Sequence, residues 1–238
     1  MKKTLTAFML TLAVILGLTS CNTNDGPEVN ENYFLDIVNY EADSPTGSTF
    51  TFRRQGDSEL ITLTCPQRLS ANDFKVGTRV IINYVPESGK QYVSGPVRLV
   101  AAANVEGRGE AIPRATKAET DDWASDGITV HALFRSGNFI NLQFTGALGA
   151  QKAVVKMLVD SETIDSDTPE VYIIYGPYTG VVDHTYMFYG SWSIADIWNR
   201  PNCKAIRINF KGMGTVISPV TIAKSGSDTP SRPVEANI

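Results

Sequence analysis

Histidine and cysteine are scarce in this chain of 238 residues, which has two His and three Cys. No Cys-x-x-Cys spacing occurs, which excludes a zinc ribbon and a dithiol redox motif. Three Cys are also too few for a small disulfide-built scaffold. Basic charge is not in excess: 21 Lys+Arg stand against 25 Asp+Glu. A phosphate-tracking surface therefore lacks its usual electrostatic drive. No Gly-x-Ser-x-Gly elbow is present, and Gly190-Ser191-Trp192-Ser193 does not supply one. Gly107-Arg108-Gly109 is too short to cradle a phosphate. Long helical periodicity is missing as well. A hydrophobic content of 42% with only 19% charged residues nevertheless supplies a folded core.

What is present begins with an address. Lys2 and Lys3 precede an uncharged apolar run from Thr4 to Gly17, which ends in Leu18-Thr19-Ser20-Cys21. A charged start with a short apolar stretch is an export signal rather than a span. Small residues just ahead of Cys21 are similar to a bacterial lipobox, which implies cleavage after residue 20 and acylation of Cys21. The competing readings are an ordinary export signal with an incidental cysteine, or a single-span anchor. On the lipobox reading, residues 1–20 are the signal peptide and 21–29 a polar tether. The mature chain then keeps 19 basic against 25 acidic groups. Two or three acyl chains, at about 0.8 kcal/mol per buried methylene, anchor a protein stably. By resemblance to enterobacterial sorting rules, Asn22 after the cysteine favours the outer membrane, with the chain facing either the periplasm or the outside.

Beyond the tether, short alternating runs with turn residues between them predict an all-β fold. Phe50 and Phe52 share a face, as do Ile61, Leu63 and Cys65, and Val80, Ile82 and Tyr84. With runs near 33–40 and 92–101, five strands fall within residues 30–110, enough for a small barrel. Gly107, Gly109, Pro113 and the acidic residues up to Asp126 break the pattern, so 111–126 reads as a linker. Seven further runs between 127 and 224 predict a β-sandwich. Residues 193–199 can form one helical turn, and 225–238 reads as a tail.

With this layout, the stretch Val76-Gly77-Thr78-Arg79-Val80-Ile81-Ile82-Asn83-Tyr84 resembles a strand of the NigD-like lipoproteins. The resemblance implies an OB-like N-terminal barrel, a C-terminal β-sandwich and an association with bacteriocin immunity. It carries over no catalytic residue. Arg79 and Asn83, four apart on a strand and so on one face, are expected to form a structural polar pair.

The chemistry-bearing residues favour structural roles. His131 is expected on a half-covered strand face. His184, beside Asp183 in a polar loop, lacks the context of a hydrolase. The acids of Asp160–Asp167 read as a solvated hairpin loop rather than a Ca²⁺ site, since the loop Gly and the closing Glu are missing. Cys65 and Cys203 fall in different units, with Cys203 on the face away from Ile206 and Ile208, so two free thiols are expected. Eight of the 22 aromatics lie between 170 and 198. Tyr186, Phe188 and Trp192 share a core-type face, whereas Tyr178 and Tyr189 are the candidates for a binding surface. The expectation is a non-enzymatic, lipid-anchored envelope protein without a cofactor, metal or nucleic-acid partner. Its partner is another envelope protein or, alternatively, a glycan or small ligand.

Overall fold

A computed structural model describes residues 32–116, 118–119, 129–148, 154–176, 184–211 and 218–224. The signal region, Cys21, Tyr178 and the tail lie outside the described residues.

The first unit is a closed barrel of β1 (Phe34–Ser44), β2 (Gly47–Arg53), β3 (Leu60–Cys65), β4 (Arg79–Pro86) and β5 (Gly95–Asn104). The strand order is β1-β2-β3-β5-β4, with β4 closing antiparallel on β1. This is the small five-stranded barrel the alternation predicts, of the OB-like kind the resemblance implies. Every second residue points inward, so Val38, Tyr40, Phe50, Phe52, Ile61, Leu63, Val80, Ile82 and Tyr84 form one apolar cluster. Closure removes all but a short parallel join between β3 and β5, at Leu63–Gly95 and Thr64–Pro96. A bulge where Asn83 gives way to Tyr84 bends β5 around the barrel.

The second unit holds β6 (Arg114–Ala115), β7 (Thr129–Ser136), β8 (Phe139–Leu148), β9 (Val154–Asp160) and β10 (Glu170–Gly176). It continues with β11 (His184–Ser193), helix α1 (Ala195–Trp198), β12 (Ala205–Lys211) and β13 (Val220–Ala223). A five-stranded sheet, β13-β12-β10-β9-β6, faces a three-stranded one, β11-β8-β7. Both line one core, with Leu142, Phe144 and Trp192 on one side and Met157, Ile173, Ile206 and Ile208 on the other. That is a two-layer β-sandwich. The two-residue β6 joins the seven strands expected from sequence and pairs parallel with β9.

Cys203 departs from its expected face. It precedes β12 rather than belonging to it, and it is buried in the sandwich core. Strand parity therefore does not apply to it. Both Cys65 and Cys203 are free thiols, one in each core.

Candidate functional site

The chain leaving β5 does not hang free between the units. Residues 105–112 run beside the end of β11 in parallel register. Glu106 N–H donates to Tyr189 O, Ser191 N–H to Glu106 O, Gly109 N–H to Ser191 O and Ser193 N–H to Glu110 O, each at 2.8 Å. The close approach requires glycine. A Cβ on Gly107, at φ +73°, would lie 2.2 Å from Trp192 Nε1, and one on Gly109, at φ +79°, 2.5 Å from Arg79 Cγ. Both positions combine left-handed backbone with no room for a side chain.

Arg79 is the centre of the junction. It opens β4 with its side chain outside the barrel, opposite the inward parity of Val80, yet it is only 1% exposed because the sandwich covers it. Nε donates to Ser191 Oγ (3.1 Å) and Nη1 to Asn39 Oδ1 (3.1 Å). Nη2 donates to Ile37 O (3.1 Å) and Asn141 Oδ1 (3.0 Å). Ser191 Oγ in turn donates to Asn141 Oδ1 at 2.8 Å. The guanidinium lies 4.5 Å from the centroid of the Phe139 ring. One cation thus bonds β1 of the barrel and β8 and β11 of the sandwich together. Burial pulls its pKa down to about 9, slightly opposed by the field of Glu41, so it stays charged at neutral pH. Among the described residues no carboxylate bonds it.

The polar pair expected between Arg79 and Asn83 is therefore a shared face without a mutual bond. Asn83 Oδ1 is buried with no hydrogen-bond partner among the described residues, as is Asn141 Nδ2. Ile81 stands between Arg79 and Asn83 on that same outer face and is likewise buried.

A second clasp closes the other side. Arg135 Nη1 and Nη2 grip Asp57 in bidentate fashion at 2.8 and 2.7 Å, and the guanidinium stacks 4.5 Å from the Trp198 centroid. Arg135 holds the Asp57 carboxyl below the usual carboxylate range. Gly56 N–H donates to Arg135 O and Gly137 N–H to Gly56 O, both at 2.7 Å, and Ser136 Oγ donates to Arg53 O at 2.6 Å. Between the clasps, the barrel and the β7–β8 turn border an open cleft of about 290 Å³ lined by Asn39, Arg53, Leu60, Arg79, Asn138 and Phe139.

The residues singled out from sequence are distributed as follows. Tyr189 is half-buried on β11, on the same face as Ser191, and burial pushes its phenol up. Trp192 and Phe188 pack in or on the sandwich core, while Tyr186 is half-buried. His131 is half-covered, with Nε2 paired to Thr145 Oγ1. His184 starts β11 opposite Leu148, and Asp183 lies outside the described residues. Ser191, seven residues along that strand, is committed to Asn141 and Arg79. The acidic loop after β9 is largely exposed, as expected, with surface pairs Asp165–Arg200 and Asp167–Lys204, while Asp160 and Ile164 are buried. Burial raises the pKa of both thiols, which keeps them out of the reactive thiolate form. Sequence reasoning missed Asn39, Asn141 and Ser191. The one usable signal was Arg79 at a strand position that an ordinary surface would leave exposed.

No family model matches the chain, and no curated protein does. Solved structures of similar fold come from Bacteroides and Parabacteroides species. A protein of unknown function (DUF1344) from Bacteroides vulgatus is 15% identical, with 84% of this chain and 95% of that chain covered and a TM-score of 0.61. A protein from Parabacteroides distasonis described as toxin-related is 10% identical, covering 80% of this chain and 92% of that one, TM-score 0.59. A NigD-like immunity protein from Bacteroides caccae is 15% identical, covering 84% and 95%, with a TM-score of 0.51. The likeness read from the Arg79 strand thus extends to the fold: this chain is similar in architecture to a NigD-like protein along most of its length.

Proposed function

We propose that the protein is a non-enzymatic, lipid-anchored component of the cell envelope that binds a protein partner, with Cys21 as the acylated residue. The observation that carries this reading is the junction: two β units are joined by the bonds of Arg79 and by the Arg135–Asp57 pair. A tethered rigid body presents its loops at a fixed mutual angle, which lowers the ordering cost of binding. The groups capable of chemistry are otherwise engaged. Ser191 holds the junction, His131 meets Thr145, and both thiols are buried. The solved neighbours called toxin-related and NigD-like immunity protein favour a bacteriocin-associated setting over a metabolic one.

Crosslinking in intact cells, with surface protease shaving to fix the orientation, tests the proposal. One envelope protein should be captured by the wild type and lost with Cys21→Ser. Turnover in an esterase and peptidase screen, abolished by Ser191→Ala in a folded variant, would show an enzyme instead.

A further inference from the structure

We propose that the cleft between the barrel and the β7–β8 turn is a binding site for a small organic carboxylate, bonded by Arg53 at its rim and favoured by the charge of the buried Arg79 behind its wall. Charge argues for it first. The cleft walls carry Arg53, Asp57 and Arg79, and Asp57 is already taken by Arg135 through both carboxylate oxygens. Two guanidinium groups are left without a bonded carboxylate among the described residues. Arg79 bonds only neutral oxygens, and Arg53 Nη1 donates to the Ser58 carbonyl. Glu41 acts on Arg79 only through space. A local positive surplus in a chain of net charge −4 is a site for a single anion. Guanidinium forks match the planar geometry of a carboxylate.

Shape and polarity narrow the ligand. A volume of about 290 Å³ holds roughly ten non-hydrogen atoms at about 30 Å³ apiece, the share a water takes in the liquid. Leu60 and Phe139 supply apolar walls, so the ligand has an apolar body as well as its charged end. The side chain of Asn138 is exposed at the mouth and offers a further donor. The position is also where ligands collect, at the boundary between two units. This site is independent of the protein-partner reading and survives its failure.

Phenylacetate, with ten non-hydrogen atoms, is a suitable probe for the full chain in solution, followed by amide and Arg Nε–H NMR. Binding with Kd on the order of 1 mM is expected for a ligand of that size. It should shift the signals of Gly137, Asn138 and Arg53. Phenylacetamide, equal in shape but uncharged, should bind at least tenfold more weakly, and Arg53→Gln should weaken phenylacetate about fivefold. Arg68→Gln, which removes a cation already paired with Asp43, should leave binding unchanged. A tripeptide ending in Phe, set against its C-terminal amide, distinguishes a peptide end from a free acid as the source of the carboxylate. Several results would overturn the proposal: equal binding of the amide, shifts that map elsewhere, no effect of either Arg53→Gln or Arg53→Ala, inorganic phosphate binding as tightly, or no binding at 20-fold the expected Kd.

Discussion

Replacing Arg79 by Met tests the junction most severely, because two large effects of opposite sign meet there. Burial pulls the guanidinium down to about 9, which penalises its charged form by on the order of 5 kcal/mol at neutral pH. Removing the charge recovers that cost. Against it stand four hydrogen bonds at 3.0–3.1 Å from an ionised donor, at about 1.5 kcal/mol each. The ring contact with Phe139 adds about 1 kcal/mol. The losses total about 7 kcal/mol, so Arg79→Met is expected to destabilise by about 2 kcal/mol net. Urea unfolding at pH 7, followed by far-UV circular dichroism and tryptophan fluorescence, should show a midpoint lower by about 1 M. The two probes should also separate, since Trp192 and Trp198 pack in the sandwich core whereas circular dichroism reports on both units. Adding Asn141→Leu and Ser191→Ala removes the stranded polar partners and should restore stability to within about 1 kcal/mol of wild type. An Arg79→Met variant as stable as wild type, unfolding in one unaltered transition, would refute the reasoning.

Other consequences are open to simpler checks. Gly107→Ala forces a Cβ onto Trp192 at positive φ and should cost about 2–4 kcal/mol in thermal or urea unfolding. A thiol titration of the mature protein with an uncharged reagent should find Cys65 and Cys203 unreactive when folded and both reactive in denaturant. The Asp57–Arg135 bond strengthens the folded state above the unfolded carboxyl pKa near 4 and is lost as pH falls through the lower folded value. Asp57→Asn should therefore flatten the acid limb below about pH 4, by under about 1 kcal/mol because the Asp57 side chain is 71% exposed. Asp36 works in the other direction. Burial raises its pKa despite bonds from Gln91 and Tyr84, so the barrel gains stability as pH falls through that folded value, and Asp36→Asn should abolish the gain. Metabolic labelling with a palmitate analogue should mark the wild type and spare Cys21→Ser.

The strands were legible because each unit buries one face. Phe50 with Phe52, Ile61 with Leu63, and Val80 with Ile82 and Tyr84 alternate at the strand period and fill the barrel as that period requires. The junction was not legible for the same reason. Arg79, Ile81 and Asn83 occupy the parity that normally meets water, and contacts that include residues 62 and 112 positions away in sequence bury Arg79. Local periodicity carries no information about which outer face a second unit will cover. Ser191 and Asn141 looked like ordinary polar positions on β11 and β8, and their role exists only where those strands meet the barrel. Cys203 defeated the parity argument by lying just before its strand. Glycines 107 and 109, placed at the edge of a linker by their turn preference, are instead required by close packing against Trp192 and Arg79.

Whether the barrel and sandwich form one rigid body is tested most directly by residual dipolar couplings measured on the whole protein in a dilute aligning medium. Couplings from 34–104 and from 129–211 should fit a single alignment tensor when the two units hold the relative orientation set by Arg79 and Arg135. Two tensors of different magnitude or axis would mean that the units reorient independently, and the clasped junction would then not exist in solution.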